Sequence, residues 1–243
     1  MVKTVVVGSL GAFEREAQDI KPNKPITYRK KLFRGQREDK PLLPGLFRRY
    51  EGKVHMIQRK ESELLAELKL RVPTHTPLRP ENDWDWLSFG QHYGLQTRML
   101  DWTEDPLIAL FFAVEKSPSN PTVYVYPAPM GRLISTLNDK KSQDLFNQNH
   151  TRIVSPSVHS VRVRLQKGWH TSHALHEAPK GKPKVVIPLL RMKWYQDHIC
   201  VIKISPSAAD AIVRELAKKG VNHSSVYGDF DKICTGINRD CGL

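Results

Sequence analysis

The sequence predicts an α+β fold, a mixed and largely antiparallel sheet flanked by helices, in one domain spanning residues 1–243. Three observations carry that expectation. Short β-branched runs and amphipathic segments are mixed along the chain without strict βαβ alternation, which argues against a doubly wound sheet. The run from Leu107 to Val114 is apolar on nearly every face and far shorter than a membrane span, so it marks a helix buried in a core. The length of 243 residues, with 40% hydrophobic and 26% charged content, suffices for one sizeable core in an ordinary globular chain.

Taken in order, Met1 to Gly8 reads as a first strand, too short in its apolar run for a signal peptide and followed by the charged Glu14-Arg15-Glu16. Leu10 to Ile20 suits a short helix, and Lys21-Pro22-Asn23-Lys24-Pro25 breaks it. Ile26 to Gln36 is a strand that delivers Arg34 to a glycine. Asp39 to Tyr50 holds Pro41, Pro44 and Gly45 and reads as a loop. Ile57 to Leu70 places Ile57, Leu64, Leu65 and Leu68 on one helical face, with Pro73 beyond. Trp84, Trp86, Leu87 and Phe89 form an aromatic cluster that reads as core. Gly90 to Thr103 reads as a polar loop, leading into a helix with Asp105 as N-cap and Pro106 as first residue. Pro121 to Tyr126 is a strand, and 127–157 is polar, aperiodic and expected as an insertion. Val161, Val163 and Leu165 alternate with Arg162, Arg164 and Gln166, the pattern of a strand with one polar face. Ile199 to Ile204 is another strand, and Ser205-Pro206 opens a helix that Gly220 ends.

Composition narrows the function. Cys200, Cys234 and Cys241 are odd in number and lack Cys-x-x-Cys spacing, which disfavours a disulfide framework or a zinc knuckle. The formal charge of +13 attracts polyanions, so a phosphate-bearing partner, nucleotide or nucleic acid, is expected and a membrane is not. The location expected is the cytoplasm. No dinucleotide fingerprint, P-loop or zincin motif occurs. His170, His173 and His176 stand at i, i+3, i+6, where a helix would bring two of them together but not the third, and no metal site is expected.

The chemistry concentrates in Arg34-Gly35-Gln36 and in Gly90 to Thr103, a stretch that holds His92, Tyr93, Thr97, Arg98, Asp101, Trp102 and Thr103. Arginine offers a planar fork of donors for phosphate or carboxylate, and the glycine beside it admits a close neighbour, backbone or ligand. His92 suits a general base or a donor to a bound base. Asp101 is either a site carboxylate or the ion-pair partner of Arg98.

Three blocks resemble the FRG family: Phe33-Arg34-Gly35-Gln36, Gln91 to Thr103 with the Ala109–Ala113 helix, and Tyr227-Gly228-Asp229-Phe230-Asp231. Gln96 stands where the family usually has proline. A more distant similarity is to ADP-ribosyltransferases. Arg34 matches their first motif, Asp101-Trp102-Thr103 before Ala109-Leu110-Phe111-Phe112-Ala113 their second, and Gln166 falls at the third, on the strand before Gly168-Trp169. The resemblance implies an enzyme acting on NAD or another nucleotide, an ADP-ribosyltransferase or NAD glycohydrolase with a toxin or phage-conflict role. It makes Arg34, His92, Asp101 and Gln166 catalytic candidates. Arg34, Gly35, Gln36, His92, Tyr93, Thr97, Arg98, Trp102 and Thr103 are the candidates for holding the nucleotide. A neutral amide at 166 can bond ribose but cannot oppose positive charge, so Asp101, Asp229 or Asp231 would have to supply the carboxylate. The competing expectation is a basic nucleic-acid-binding or protein-interaction module without catalysis.

Overall fold

A computed structural model describes residues 1–38, 40–50, 53–72, 80–116, 118–134, 139–140, 144–157, 161–176 and 185–228. Eight strands form one sheet in the spatial order β1-β8-β4-β2-β3-β7-β6-β5. They are β1 (Lys3–Val7), β2 (Tyr28–Gln36), β3 (Met99–Thr103), β4 (Thr122–Pro129), β5 (Leu133–Ile134), β6 (Arg152–Val154), β7 (Gly168–Ser172) and β8 (Cys200–Ile204). The outer pairs β1–β8 and β5–β6 are parallel and every other pairing is antiparallel. The α+β class with a largely antiparallel sheet is therefore the observed fold.

The centre of the sheet is uneven. Strands β2 and β4 pair from Tyr28 opposite Pro129, through a register shift before Lys30, to Gln36 opposite Thr122, whereas β2 meets β3 at one position, Phe33 opposite Thr103. Away from that position the two strands part, and the gap becomes the site.

Helices cover both faces. On one side lie α1 (Leu10–Asp19), α5 (Pro106–Val114) and α8 (Ala209–Lys218), which pack with Val123, Val125 and Ile202 of the sheet. Ser9 caps α1 by accepting from the Ala12 amide, and Leu10, Phe13 and Ala17 are its buried stripe. Asp105 caps α5, its carboxylate accepting from the Leu107 and Ile108 amides at 3.0 and 3.4 Å, with Pro106 in the first turn. The other face is filled by Leu32, Trp102, Tyr124, Tyr126 and Tyr195, the last from α7 (Lys193–His198). Alternation along β4, valines to one side and tyrosines to the other, shows why every residue of this strand is buried.

Helices α2 (Gly45–Arg49), α3 (Val54–Arg71) and α4 (Asp83–His92) cover the β3–β7–β6 end. Trp84, Trp86 and Leu87 are core, as expected, but they sit on α4. Gly90 to His92 thus end a helix and Met99 to Thr103 form a strand, where the sequence reading expected one continuous loop. Apolar residues of that stretch, Met99, Leu100 and Trp102, had burial to gain by joining the sheet. Gly90 itself is a packing point: a side chain there would lie 2.7 Å from Leu95 and 2.9 Å from Leu68.

One other expectation is corrected. Val161–Leu165 is a short helix, α6, and not a strand. Val161 and Leu165 share a face at i, i+4 and lie beside Gly228, while only Val163 is buried, so the alternation never marked a sheet face. Lys167, at a φ of 46°, turns the chain from α6 into β7. The described part of 127–157 joins the common sheet through β4, β5 and β6, with Leu145, Ile153 and Val154 buried. Among the three spaced histidines, His170 lies on β7, not on a helix. Among the described residues there is no His/Cys/Asp/Glu group fit to hold a metal ion, and no helix long and apolar enough to cross a membrane. Cys200 is buried with a free thiol; Cys234, Cys241, Asp229 and Asp231 lie outside the described residues.

Candidate functional site

Where β2 and β3 diverge, a pocket of about 390 Å3 opens between the strands, α4, α5, α6 and the helix α9 (His223–Tyr227). Arg34, His92 and Asp101 all line it, together with Gly35, Gln36, Trp102, Thr103 and Gln166. This size is within the range of small-molecule sites.

Arg34 is fixed by a backbone carbonyl. Its Nη1 donates to the Asp101 carbonyl oxygen at 2.6 Å, so the guanidinium bridges strands where their own ladder is missing. Its Nε is buried and has no partner. Gly35 is the glycine the chain needs beside it, because a Cβ there would stand 1.8 Å from the Ala109 carbonyl oxygen of α5. The close neighbour foreseen for that glycine is therefore the helix backbone.

Asp101 projects its carboxylate into the pocket from β3, with 56% of its side chain accessible to solvent. Two groups hold it. His170, its register partner on β7, brings Nδ1 to 3.2 Å from Oδ1, and Gln91 Nε2 donates to Oδ2 at 3.2 Å. The Thr97 hydroxyl in turn donates to Gln91 Oε1 at 2.7 Å. Packing of protein around Asp101 pushes its pKa up, but His170, Arg34 and Gln91 together outweigh this and bring it to about 2. The group is thus anionic across the working pH range.

Two histidines are held neutral. Burial, then the charge of Arg162, press His92 from 6.5 to about 4, while burial, then Arg34, press His173 to about 3. Both folded-state values lie below the free value, so the unfolded chain binds more protons as pH drops. Stability is whole above about pH 6.5 and declines as pH falls through 6.5 towards about 4 and 3. The Asp101 contribution is present above 3.8 and is lost only towards about pH 2, below that window. Melting temperature is expected to fall steadily below about pH 6.5 and the slope to flatten in His173→Gln. A melting temperature that holds level down to about pH 4.5 would contradict this.

Gln166 lines the pocket with its amide and its backbone carbonyl both engaged. It sits in the turn after α6, its Nε2 donates to the Val226 carbonyl at 3.1 Å, and its own carbonyl accepts from the Thr103 hydroxyl at 2.6 Å. A carboxylate has no proton to give Val226, which is a physical reason for an amide here. This staple fixes α9, and with it Tyr227, whose hydroxyl donates to Glu115 Oε1 at 2.8 Å.

Three expected site residues lie elsewhere. Tyr93 ends α4 with 68% exposure and does not line the pocket. Thr97 is buried and acts through Gln91. Arg98 is fully buried; its Nη2 lies 2.5 Å from Glu61 Oε2, so its ion-pair partner is on α3 and not Asp101. Trp102 lines the pocket but is 3% exposed, with its Nε1 donating to Thr171 Oγ1 at 2.9 Å. The sequence reading missed Arg48, Phe112, Glu115, Arg162 and Tyr227, all of which line the pocket. A carboxylate immediately after the buried helix was the available signal for Glu115. Tyr227 belonged to the third FRG-like block.

The lining carries Arg34, Arg37, Lys40, Arg48 and Arg162 against Glu38, Asp101 and Glu115, an excess of positive charge suited to an anion. The pocket is cut into a mixed sheet beside an arginine–glycine pair. Residues 29–121 match the sequence model of the FRG domain. The match ends before β4, so Arg162, Gln166 and Tyr227 lie beyond it. No curated protein and no solved structure matches the chain.

Proposed function

We propose that the pocket binds NAD or a related phosphate-bearing nucleotide and cleaves its N-glycosidic bond, as a glycohydrolase or an ADP-ribosyltransferase. The observation that carries this reading is the convergence of Arg34, His92 and Asp101 on one cationic pocket. Arg34, with Arg48 nearby, is placed for a phosphate oxygen. Asp101, anionic and held from behind, is placed to oppose positive charge as the ribose becomes oxocarbenium-like. The C–N bond breaks with its electron pair leaving on the base, and water or another acceptor adds at the same carbon and loses a proton. Neutral His92 lines the pocket beside them, its Nε2 buried without a partner. The biological role that fits the FRG resemblance, a toxin or phage-conflict effector, rests on analogy alone.

The test is incubation with NAD, following nicotinamide release, and titration of NAD by calorimetry. Arg34→Ala and Asp101→Asn are expected to lower the rate by roughly 10²-fold or more, with unchanged circular dichroism. Absence of both nicotinamide release and NAD binding in the wild type would sink the proposal. Salt-sensitive capture of nucleic acid in their place would favour the non-catalytic module.

A further inference from the structure

Gln91, in the last turn of α4, is not among the residues that the sequence marks for the site, yet its amide spans the turn between α4 and β3. Its Oε1 accepts from the Thr97 hydroxyl at 2.7 Å, and its Nε2 donates to Asp101 Oδ2 at 3.2 Å. Thr97 is 1% exposed, and its Oγ1 also accepts from the Met99 amide at 3.0 Å.

These bonds admit one orientation of the Gln91 amide. A carboxylate only accepts, so the amide nitrogen has to face Asp101. A reversed amide would set its oxygen against the anion and leave the Thr97 proton without its acceptor. The other carboxylate oxygen is matched by His170, whose Nδ1 lies 3.2 Å from Oδ1. Each oxygen of Asp101 thus has one partner, one on α4 and one on β7, and the carboxylate cannot turn without losing them. The charged and titratable groups acting on it are Arg34 from β2, His170 from β7 and His92 from α4.

We infer that Gln91 and Thr97 are positioning residues for Asp101: Thr97 fixes which way the Gln91 amide faces, and Gln91 fixes the orientation in which the carboxylate meets a ligand. The catalytic consequence rests on the nucleotide reading given above. A carboxylate already oriented leaves no reorganisation to make as positive charge develops on the ribose. Thr97 is too deeply buried to touch a ligand, so its effect on the reaction passes through Gln91.

Two measurements test this. With the aspartate carboxyl carbons isotope-labelled, the Asp101 resonance is assigned by its loss in Asp101→Asn. In the wild type it is expected to stay nearly flat from about pH 7 to about pH 4, above its pKa of about 2. Gln91→Glu puts a second carboxylate where the donor stood, and the pair is expected to titrate within that window. In NAD cleavage, Thr97→Val is expected to lower kcat about tenfold with KM kept within about twofold, and Thr97→Ser, which keeps the hydroxyl, to restore it. A Gln91→Glu protein whose Asp101 resonance stays as flat as the wild type's, or a Thr97→Val protein with wild-type kcat, overturns the inference and leaves the nucleotide reading standing. If the wild type cleaves no NAD, that reading falls, and the carboxyl titration alone decides whether Gln91 holds Asp101.

Discussion

Gly35→Ala is expected to destabilise the protein by ~4 kcal/mol or more, enough to unfold many domains. The Cβ would stand 1.8 Å from the Ala109 carbonyl oxygen and 2.8 Å from the Ala113 amide nitrogen, both backbone atoms of a buried helix. Neither can swing aside as a flexible side chain would. Relief requires moving α5 away from β2, which opens the core that Phe33, Ala109 and Ala113 share. Gly131→Ala is the control, because a side chain there meets nothing within 4 Å, and its effect should stay within about 0.5 kcal/mol. Chemical denaturation of the two variants measures both. A Gly35→Ala protein within about 1 kcal/mol of the wild type would show that α5 packs on β2 less closely than described.

Glu61→Ala should cost about 3–5 kcal/mol. The Glu61 carboxylate accepts from Arg98 Nε at 2.6 Å and from the Arg98 amide at 3.2 Å, and both side chains are essentially inaccessible. Removing the anion leaves a guanidinium in the interior with the Leu145 carbonyl, at 3.0 Å, as its remaining bond. The large loss comes from that stranded charge, not from any high intrinsic value of the pair. Glu61→Leu combined with Arg98→Met should therefore recover most of the stability, since apolar replacements of buried pairs are often neutral or better. If the single variant unfolds at the same denaturant concentration as the wild type, the buried pair is not formed. Arg98 directly precedes β3, so an unsettled Arg98 also loosens the strand that carries Asp101.

These two positions show what the sequence could and could not disclose. Arg34-Gly35-Gln36 announced a close approach, and the segment from Asp105 to Val114 announced a capped, buried helix, because local chemistry alone decides each. That the two features touch is a tertiary fact with no local signature. Arg98 looked like a site residue because it sits among site residues, yet its partner Glu61 is on a helix whose pattern marks that face as merely amphipathic. Val161 to Leu165 misled because five residues of alternation fit one and a half helical turns as well as a strand. Gln166 reached the pocket region from the expected chain position, though by a turn and with its amide committed to α9. Arg162 stayed hidden because only the folded chain brings α6 to the gap beside β2.

That gap has a mechanical meaning. The sheet has two halves, β1-β8-β4-β2 and β3-β7-β6-β5, whose backbones pair at one position and which are also joined by the Arg34 guanidinium, the Lys30–Glu104 ion pair, the crossing of α5 and the packing of Trp102 on Tyr126. Any molecule lodged between Arg34 and Asp101 becomes a further tie between them. By linkage, whatever free energy it gains from gripping both halves together is the same free energy by which it resists their drifting apart, so occupancy and rigidity at this seam rise and fall as one quantity.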